Sequence, residues 1–485
     1  MIRYLWLLLP MSLSACIAVG PRYEEPQPDK IQDAFVYSDD PAFLIGEEKA
    51  PGPWWSAYSD PRIGEAVDLA LERNRDLAAA YGRLEAAQAR AGAARAALLP
   101  QGGTSFAITR QQQAQAAFAG FAGVGDGEGE GPPPVPRDNP EFTIYQAAAE
   151  ATWEIDLFGR LRRQAQGARA RAEQQEALYQ DTRRLIAGRT VDTYLLLVEA
   201  MNRRKVALEN LAIQQRALEL TGQLFELGEV PQLNLLQQET LVKTTAAQVK
   251  QVESAAADAT AALALVMGMT VPEFLVRFPG LVAEDAAPPL PRAEGLVIVG
   301  QPGAILRRRP DIAAAERALA AEVYDIGLAT AELFPSVQLV GSGSLTALDF
   351  AGLGEDQAVG YSVGPRLSWQ ILSYPRLLLQ RAASKAEAEA ALAAYEQTVL
   401  QALTETDRAL ALHSGAVVQA ELLSEADRNA RQALSLVEAR YREGADSLLS
   451  LLDAQRTALQ TQDQAVQAQA AALRTRASVH RVLAQ

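Results

Sequence analysis

The chain states one pattern twice, and a duplication governs architecture before any single motif does. Arg75-Asp76-Leu77 through Leu98-Leu99-Pro100 matches Pro310-Asp311-Ile312 through Leu333-Phe334-Pro335, a spacing of 235 residues from Pro100 to Pro335. Thr152-Trp153-Glu154-Ile155 with Phe158-Gly159-Arg160-Leu161 matches Ser368-Trp369-Gln370-Ile371 with Tyr374-Pro375-Arg376-Leu377, now 216 apart from Trp153 to Trp369. Phe225-Glu226-Leu227-Gly228 with Leu235-Leu236 against Tyr441-Arg442-Glu443-Gly444 with Leu451-Leu452 keeps 216. One insertion of 19 residues between Pro100 and Trp153 reconciles the two spacings. It falls where 114–136 is rich in Ala, Gly and Pro and suits no continuous helix or strand.

Each repeat reads as helix, strand, loop, strand, very long helix, tight turn, helix. The periodicity predicts helices at about 63–98, 157–227 and 233–267, then at about 312–333, 377–442 and 448–483. A helix of some 65 to 70 residues is about 100 Å long, more than one globular core covers. Alanine, about one residue in five, and an aromatic content of 6% suit closely spaced helices. No proline follows Pro375, and Leu392 with Val399, then Leu403, Leu410 and Val417, recur at seven, the spacing of a left-handed coiled-coil seam. Both long helices end at a glycine turn, Gly228-Glu229-Val230-Pro231 and Gly444-Ala445-Asp446-Ser447. Glycine admits positive φ there, Pro231 suits a first helical turn, and Ser447 can cap the next helix.

Between the helices, 361–371 alternates with period two: Tyr361, Val363, Leu367, Trp369 and Ile371 share one face, Ser362, Gly364, Arg366, Ser368 and Gln370 the other. Tyr145, Ala147, Ala149, Ala151 and Trp153 share a face with weaker contrast. Strands of about 9 to 11 residues fit a tilted membrane crossing, apolar toward lipid and polar toward water. Four such strands per chain fall short of the roughly eight in the smallest closed bacterial barrels, and an open edge cannot sit in lipid. Two, three or four copies would close one. The segment 270–309, with Pro272, Pro279, Pro288, Pro289, Pro291 and Pro302, reads as irregular.

At the amino end, Arg3 precedes an apolar run over 4–11, and Leu13-Ser14-Ala15 stands before the only cysteine, Cys16. The run is too short to span a membrane, so 1–15 reads as a cleaved signal peptide with a lipobox, and Cys16 as the residue that takes the lipid. Acidic residues outnumber basic ones, 59 to 45, giving a net charge of −14. A general nucleic-acid binder needs a basic face and is excluded. One Cys and two His allow no Cys/His metal cluster, disulfide framework or cysteine–histidine nucleophile. A phosphate-cradling Gly-x-x-x-x-Gly-Lys-Ser/Thr loop is absent. His413 reads as a packed or solvated histidine, and Glu405 with Asp407 as solvated helix faces. No catalytic constellation remains, so an enzyme is not expected.

These residues resemble the TolC-like outer-membrane factors, in the OprM/NodT-like lipoprotein branch. The resemblance rests on Cys16 with Val19-Gly20-Pro21-Arg22-Tyr23 and Pro26, on Trp54-Trp55 and Asp60-Pro61, on Arg309-Pro310-Asp311-Ile312, and on Tyr441-Arg442-x-Gly444 with Leu451-Leu452-Asp453-Ala454-Gln455. Arg22 stands where the family often has Asp. The implied fold is mainly α with a small β part. Internally duplicated coiled-coil helices and four membrane strands per chain would form, in a homotrimer, a 12-stranded β-barrel and an α-helical tunnel. The implied division is 1–15 signal peptide, 16–60 lipidated extended segment, 61–270 first repeat, 271–310 equatorial connection and 311–485 second repeat. The implied function is a passive exit channel of a tripartite efflux system in the outer membrane of a Gram-negative bacterium, serving a periplasmic adaptor (membrane fusion protein) and an inner-membrane pump of the RND type. Ile17, where an Asp would retain a lipoprotein in the inner membrane, agrees with that address. The adaptor-contacting tips would use Phe225, Gly228, Val230, Tyr441, Arg442 and Gly444. Ser450, which departs from an Asp found in some members, and Asp453 would line a periplasmic gate, where three Asp453 carboxylates repel one another and favour cations. No cofactor is implied beyond the covalent lipid on Cys16. A protein-secretion duct of type I systems and a non-porous envelope lipoprotein are the alternative functions.

Overall fold

The computed structural model describes residues 18–26, 32–46, 53–112, 141–283 and 287–484. Its elements run β1 (Phe43–Ile45), α1 (Pro61–Arg73), α2 (Arg75–Ala96), β2 (Gln101–Gln112), β3 (Glu141–Ile155), α3 (Arg160–Glu226), α4 (Gln232–Val266), α5 (Val271–Arg277), β4 (Val297–Val299), α6 (Pro302–Arg308), α7 (Pro310–Ala331), β5 (Ser336–Ala347), β6 (Val359–Ser368), α8 (Tyr374–Arg442) and α9 (Leu448–Val482). Cys16, the signal segment 1–15 and the insertion 114–136 lie outside the described residues.

The duplication reaches the ends of the elements. β2 and β5 each hold 12 residues and stand 235 apart at both ends. α4 and α9 each hold 35 residues, 216 apart, and α3 and α8, of 67 and 69 residues, finish at the equivalent Glu226 and Arg442.

One expected helix is two. The span 63–98 breaks at Asn74, which ends α1 and begins α2: its Oδ1 accepts the N–H groups of Asp76 and Leu77 at 2.9 and 3.1 Å, and its Nδ2 donates to the Val266 carbonyl at 2.8 Å. An Asn in this role satisfies helix-end donors that would otherwise be stranded. The equivalent break between α6 and α7 falls at Arg309. The segment 270–309 is likewise less irregular than its prolines suggest. Pro272 and Pro302 occupy the first turns of α5 and α6, where a missing N–H costs nothing, so they start helices instead of breaking them. The β-branched Val297-Ile298-Val299 pairs in parallel with Phe43-Leu44-Ile45.

The chain forms two compact units. The first draws on the described parts of Met1–Glu24, Ala87–Arg171 and Leu319–Ala390 and holds a four-stranded sheet in the order β2-β3-β5-β6, every pair antiparallel. Its small helical core joins Ala170, Ala320 and Ala321 with Tyr23 and Tyr324. β6 stops at Ser368, short of the expected 371, because Ile371–Ser373 turns into a short 3-10 segment.

The second unit draws on the described parts of Glu25–Ala86, Ala172–Ala318 and Ala391–Gln485. Its main core packs α1, α3, α4 and α5 through Ile63, Tyr194, Leu197, Leu263, Met267 and Phe274, all fully buried. A second cluster draws Phe35, Phe43, Val297, Ile305, Leu410 and Val482 from four stretches of chain into one apolar centre. Of the expected seam, Val399 and Leu410 are buried and Leu403 and Val417 partly so, but Leu392 is exposed. Tyr395, Ala402 and Ala409 carry the burial between them. Small residues at these places let helices approach closely, which is how an alanine-rich chain builds a core.

Candidate functional site

The sheet register decides which side chains share a face. Phe106 lies opposite Ala147, Ala147 opposite Leu345, and Leu345 opposite Val359. Two rungs along, Ala149 faces Gly343 and Gly343 faces Tyr361. Since side chains alternate along a strand, one face collects Phe106, Ile108, Trp153, Leu339, Val363 and Leu367, and the other Ser105, Gln146, Glu150, Ser342, Ser362 and Arg366. On the polar face the hydroxyls of Ser342 and Ser362 bond across the strands at 2.9 Å. The apolar face is bare: Tyr361 is 86% exposed and Val363 74%, and Phe106, Ile108 and Leu367 are exposed as well. A bare apolar face backed by a polar one is the pattern of a strand wall between lipid and water.

The alternation expected at 361–371 is present as far as Ser368 and that at 145–153 throughout, and the register adds the stacking across all four strands. Among the described residues the sheet is open: β2 and β6 each lack a neighbour on one side. Two equivalent tryptophans secure the wall at one end. The Trp153 indole donates to the Leu98 carbonyl at 3.0 Å, and the Trp369 indole to the Leu333 carbonyl at 3.2 Å. Each ties a strand end to carbonyls just past the preceding helix, which have no helical partner of their own.

In the second unit, α3 and α4 meet in one hairpin, α8 and α9 in another. Gly228 and Gly444 take φ of +78° and +73°. The N–H following each glycine reaches back five residues, Glu229 to the Leu224 carbonyl at 2.9 Å and Ala445 to the Arg440 carbonyl at 2.8 Å. This is the bond set of a left-handed helix stop, where an L side chain costs energy. Ser447 caps α9 by accepting the Ser450 N–H at 3.1 Å, as expected, but Pro231 sits just before α4 and not inside its first turn. The hairpins differ in chemistry. Arg440 and Asp446 form an ion pair at 2.9 Å across the second tip, where the first has Leu224 and Val230.

Among the expected tip residues, Phe225, Gly228, Arg442 and Gly444 are exposed, and Val230 and Tyr441 partly so. The structure brings them together as two sets, one on each hairpin. Of the expected gate pair, Ser450 bonds the Ser447 hydroxyl at 2.9 Å, and Asp453, 63% exposed, pairs with Arg456 at 2.5 Å. Arg456 was not foreseen from the sequence, although a basic residue three positions along a helix is the signal for such a pair.

Other charged groups found by the structure hold helices in place. Arg203 pairs with Asp463 at 2.8 Å, and Arg474 with Asp192 at 2.8 Å, joining α3 to α9. The buried Tyr194 hydroxyl donates to Asp60 at 2.5 Å, and Arg62 meets the same carboxylate at 2.7 Å. Burial pushes Asp60 up, but the Arg62 and Tyr194 bonds outweigh it and hold the group below the usual carboxylate range. Glu405 and Asp407 are not simple solvated faces. Glu405 accepts from buried Arg309 at 3.1 Å, and Asp407 accepts the Val36 N–H at 2.8 Å. His413 is buried beside the Phe43 ring and bonds Thr475 at 3.1 Å; burial lowers its pKa to about 4. Among the described residues no group of three or more His, Cys, Asp or Glu is placed to hold a metal ion.

The family described as "Outer membrane efflux protein" matches residues 66–269 and 302–485. The pyoverdine export outer membrane protein OpmQ of Pseudomonas putida is 30% identical over 433 residues, covering 89% of this chain and 87% of that protein. The outer-membrane channel OprN superposes with a TM-score of 0.83 at 32% identity, covering 96% of this chain and 98% of that one. The Campylobacter jejuni CmeC outer membrane channel shares the fold at a TM-score of 0.84 and 19% identity, over 96% and 95% of the two chains.

Proposed function

We propose, for a chain that belongs to the outer membrane efflux protein family, that three copies each lend four strands to one twelve-stranded barrel and that their long helices continue it as a duct. The protein works as a passive exit channel in the outer membrane of a Gram-negative cell. The observation that carries this reading is the register of the sheet. It places Phe106, Ile108, Trp153, Leu339, Tyr361, Val363 and Leu367 on one bare face and the serines, with Glu150 and Arg366, on the other, while leaving, among the described residues, two edges for further strands to satisfy.

Conduction then needs no catalysis. The polar strand face supplies a wet lining, and an inner-membrane pump, of the RND type in this reading, supplies the energy. A periplasmic adaptor docks on the hairpin tips, where the exposed Phe225 and Arg442 offer one apolar and one cationic contact. At the constriction Ser450 and Asp453 set passage, with Arg456 balancing part of the Asp453 charge. Cys16 carries the lipid that keeps the amino terminus at the membrane; more than one acyl chain makes that tether stable. No other cofactor takes part. The cargo is a small organic molecule, in keeping with a relative named for pyoverdine export.

The test is export from a strain lacking this chain. Accumulation of small organic compounds should rise on deletion and return to normal on complementation, and the complemented protein should co-purify with an adaptor. Unchanged accumulation together with no co-purifying adaptor would contradict the reading.

A further inference from the structure

We infer that the free edges β2 and β6 join between copies in one register, with Val363 of one copy opposite Arg110 of the next. The inference deepens the trimeric reading above and rests on it. Neighbouring strands alternate in direction across β2-β3-β5-β6, so β6 and β2 point opposite ways and rotational symmetry brings them together antiparallel.

The duplication then sets the register. Within the first repeat Gly102 faces Ala151; carried forward by the two repeat spacings, this pair becomes Val337 and Leu367, which do face each other in the second. The two within-repeat seams thus have one register. The seam between repeats, β3 to β5, has Ala147 facing Leu345. Exchanging the repeats turns Ala147 into Val363 and Leu345 into Arg110. The same exchange sets Leu367 against Phe106 and Pro365 against Ile108.

A separate physical requirement agrees. In this register the apolar face continues from Leu367 and Pro365 of one copy to Phe106 and Ile108 of the next and stops at Arg110, which pairs with Glu141. A one-residue slip would turn Phe106 and Ile108 to the polar face, which a lipid-facing wall cannot accept. Slips of two residues keep the faces but break the equivalence of the seams, so they are the alternative to exclude.

Disulfide trapping in the full-length protein in its own membrane tests this. Directly opposite residues lie about 4.5 to 5.5 Å apart and alternate between two bonding classes, so one pair from each face is used: Val363→Cys with Arg110→Cys, and Ser362→Cys with Gln111→Cys. Pairs slipped by two, Val363→Cys with Ile108→Cys or with Gln112→Cys, lie about 7 to 8 Å apart, beyond easy bridging. Ala147→Cys with Leu345→Cys, facing within one chain, serves as the positive control. The inferred register gives a reducible covalent trimer at least about fivefold more abundant from an in-register pair than from either slipped pair. Equal or stronger trapping of a slipped pair, or no trapping between chains while the control closes and the wild type runs as a trimer, overturns the register alone. A wild type that runs as a monomer on a native gel overturns the register and the trimeric reading together.

Discussion

The guanidinium of Arg309 meets the carboxylate of Asp311 at 2.6 Å across Pro310, closing the end of α6 against the start of α7. Arg309 is only 3% exposed and also donates to the Val482 carbonyl at 3.2 Å, near the end of α9. Burial works against the charge on Asp311, yet the Arg309 bond prevails and holds that carboxyl below its usual range. Removing Arg309 strands Asp311, whose side chain is 26% exposed, so the cost falls below the about 3 to 5 kcal/mol of a fully buried pair. Arg309→Ala should therefore lower the denaturation midpoint of the purified protein well beyond an exposed control such as Arg408→Ala, with Arg309→Lys in between because a lysine cannot reproduce the two-pronged contact.

His413 makes stability depend on mild acid. Its pKa falls from 6.5 to about 4 on burial, so between those values the unfolded chain binds the proton that the folded chain refuses. Stability from this group is complete above pH 6.5 and declines as pH falls toward 4, at no more than about 1.4 kcal/mol per unit. Denaturant midpoints measured across that window should slope for the wild type and flatten for His413→Gln. An unchanged slope would remove His413 as the cause.

At the hairpins, Gly444→Ala forces a side chain into φ of +73° and should cost about 1 kcal/mol, confined to the tip. Asp446→Ala breaks only the Arg440 pair, whose arginine is largely exposed, and should cost less than about 1 kcal/mol. Hydrogen exchange of the tip amides separates the two, faster in Gly444→Ala and nearly unchanged in Asp446→Ala. If the tip acts in adaptor docking, export falls in Gly444→Ala while membrane assembly stays intact.

Asp453→Ala removes the carboxylate from the proposed constriction and leaves Arg456 unbalanced. Single-channel recordings should show higher conductance and weaker cation preference than wild type. Arg456→Ala, which leaves Asp453 unpaired, should shift selectivity further toward cations. Identical recordings for both variants would place the gate elsewhere.

The repeat spacings made most of the element order legible, down to the matching ends of α4 and α9, because a duplicated pattern checks each reading against its partner. The break at Asn74 was missed because Arg73-Asn74-Arg75 contains neither proline nor glycine. The equivalent Arg309-Pro310 carried the signal, and extending the comparison by one residue exposes it. The β1 and β4 pairing was hidden in strands of three residues each, below the length at which alternation is recognisable. Contacts such as Arg203 with Asp463 or Tyr194 with Asp60 join residues far apart in the chain. Helical periodicity identifies which face is polar, but not which turn of which helix lies opposite. For the candidate site, the glycine turns were readable from conformational rules alone, whereas Arg456 beside Asp453 needed the structure.

In the trimeric reading one protomer walls off no pore and three do. The most direct measurement is the conductance of detergent-extracted protein in planar bilayers, with the mass of the inserting species determined on the same sample. A trimer should give discrete channel openings and separated protomers none. A stable monomer that conducts, or a trimer that seals the bilayer under every condition, including the Asp453→Ala variant, would contradict it.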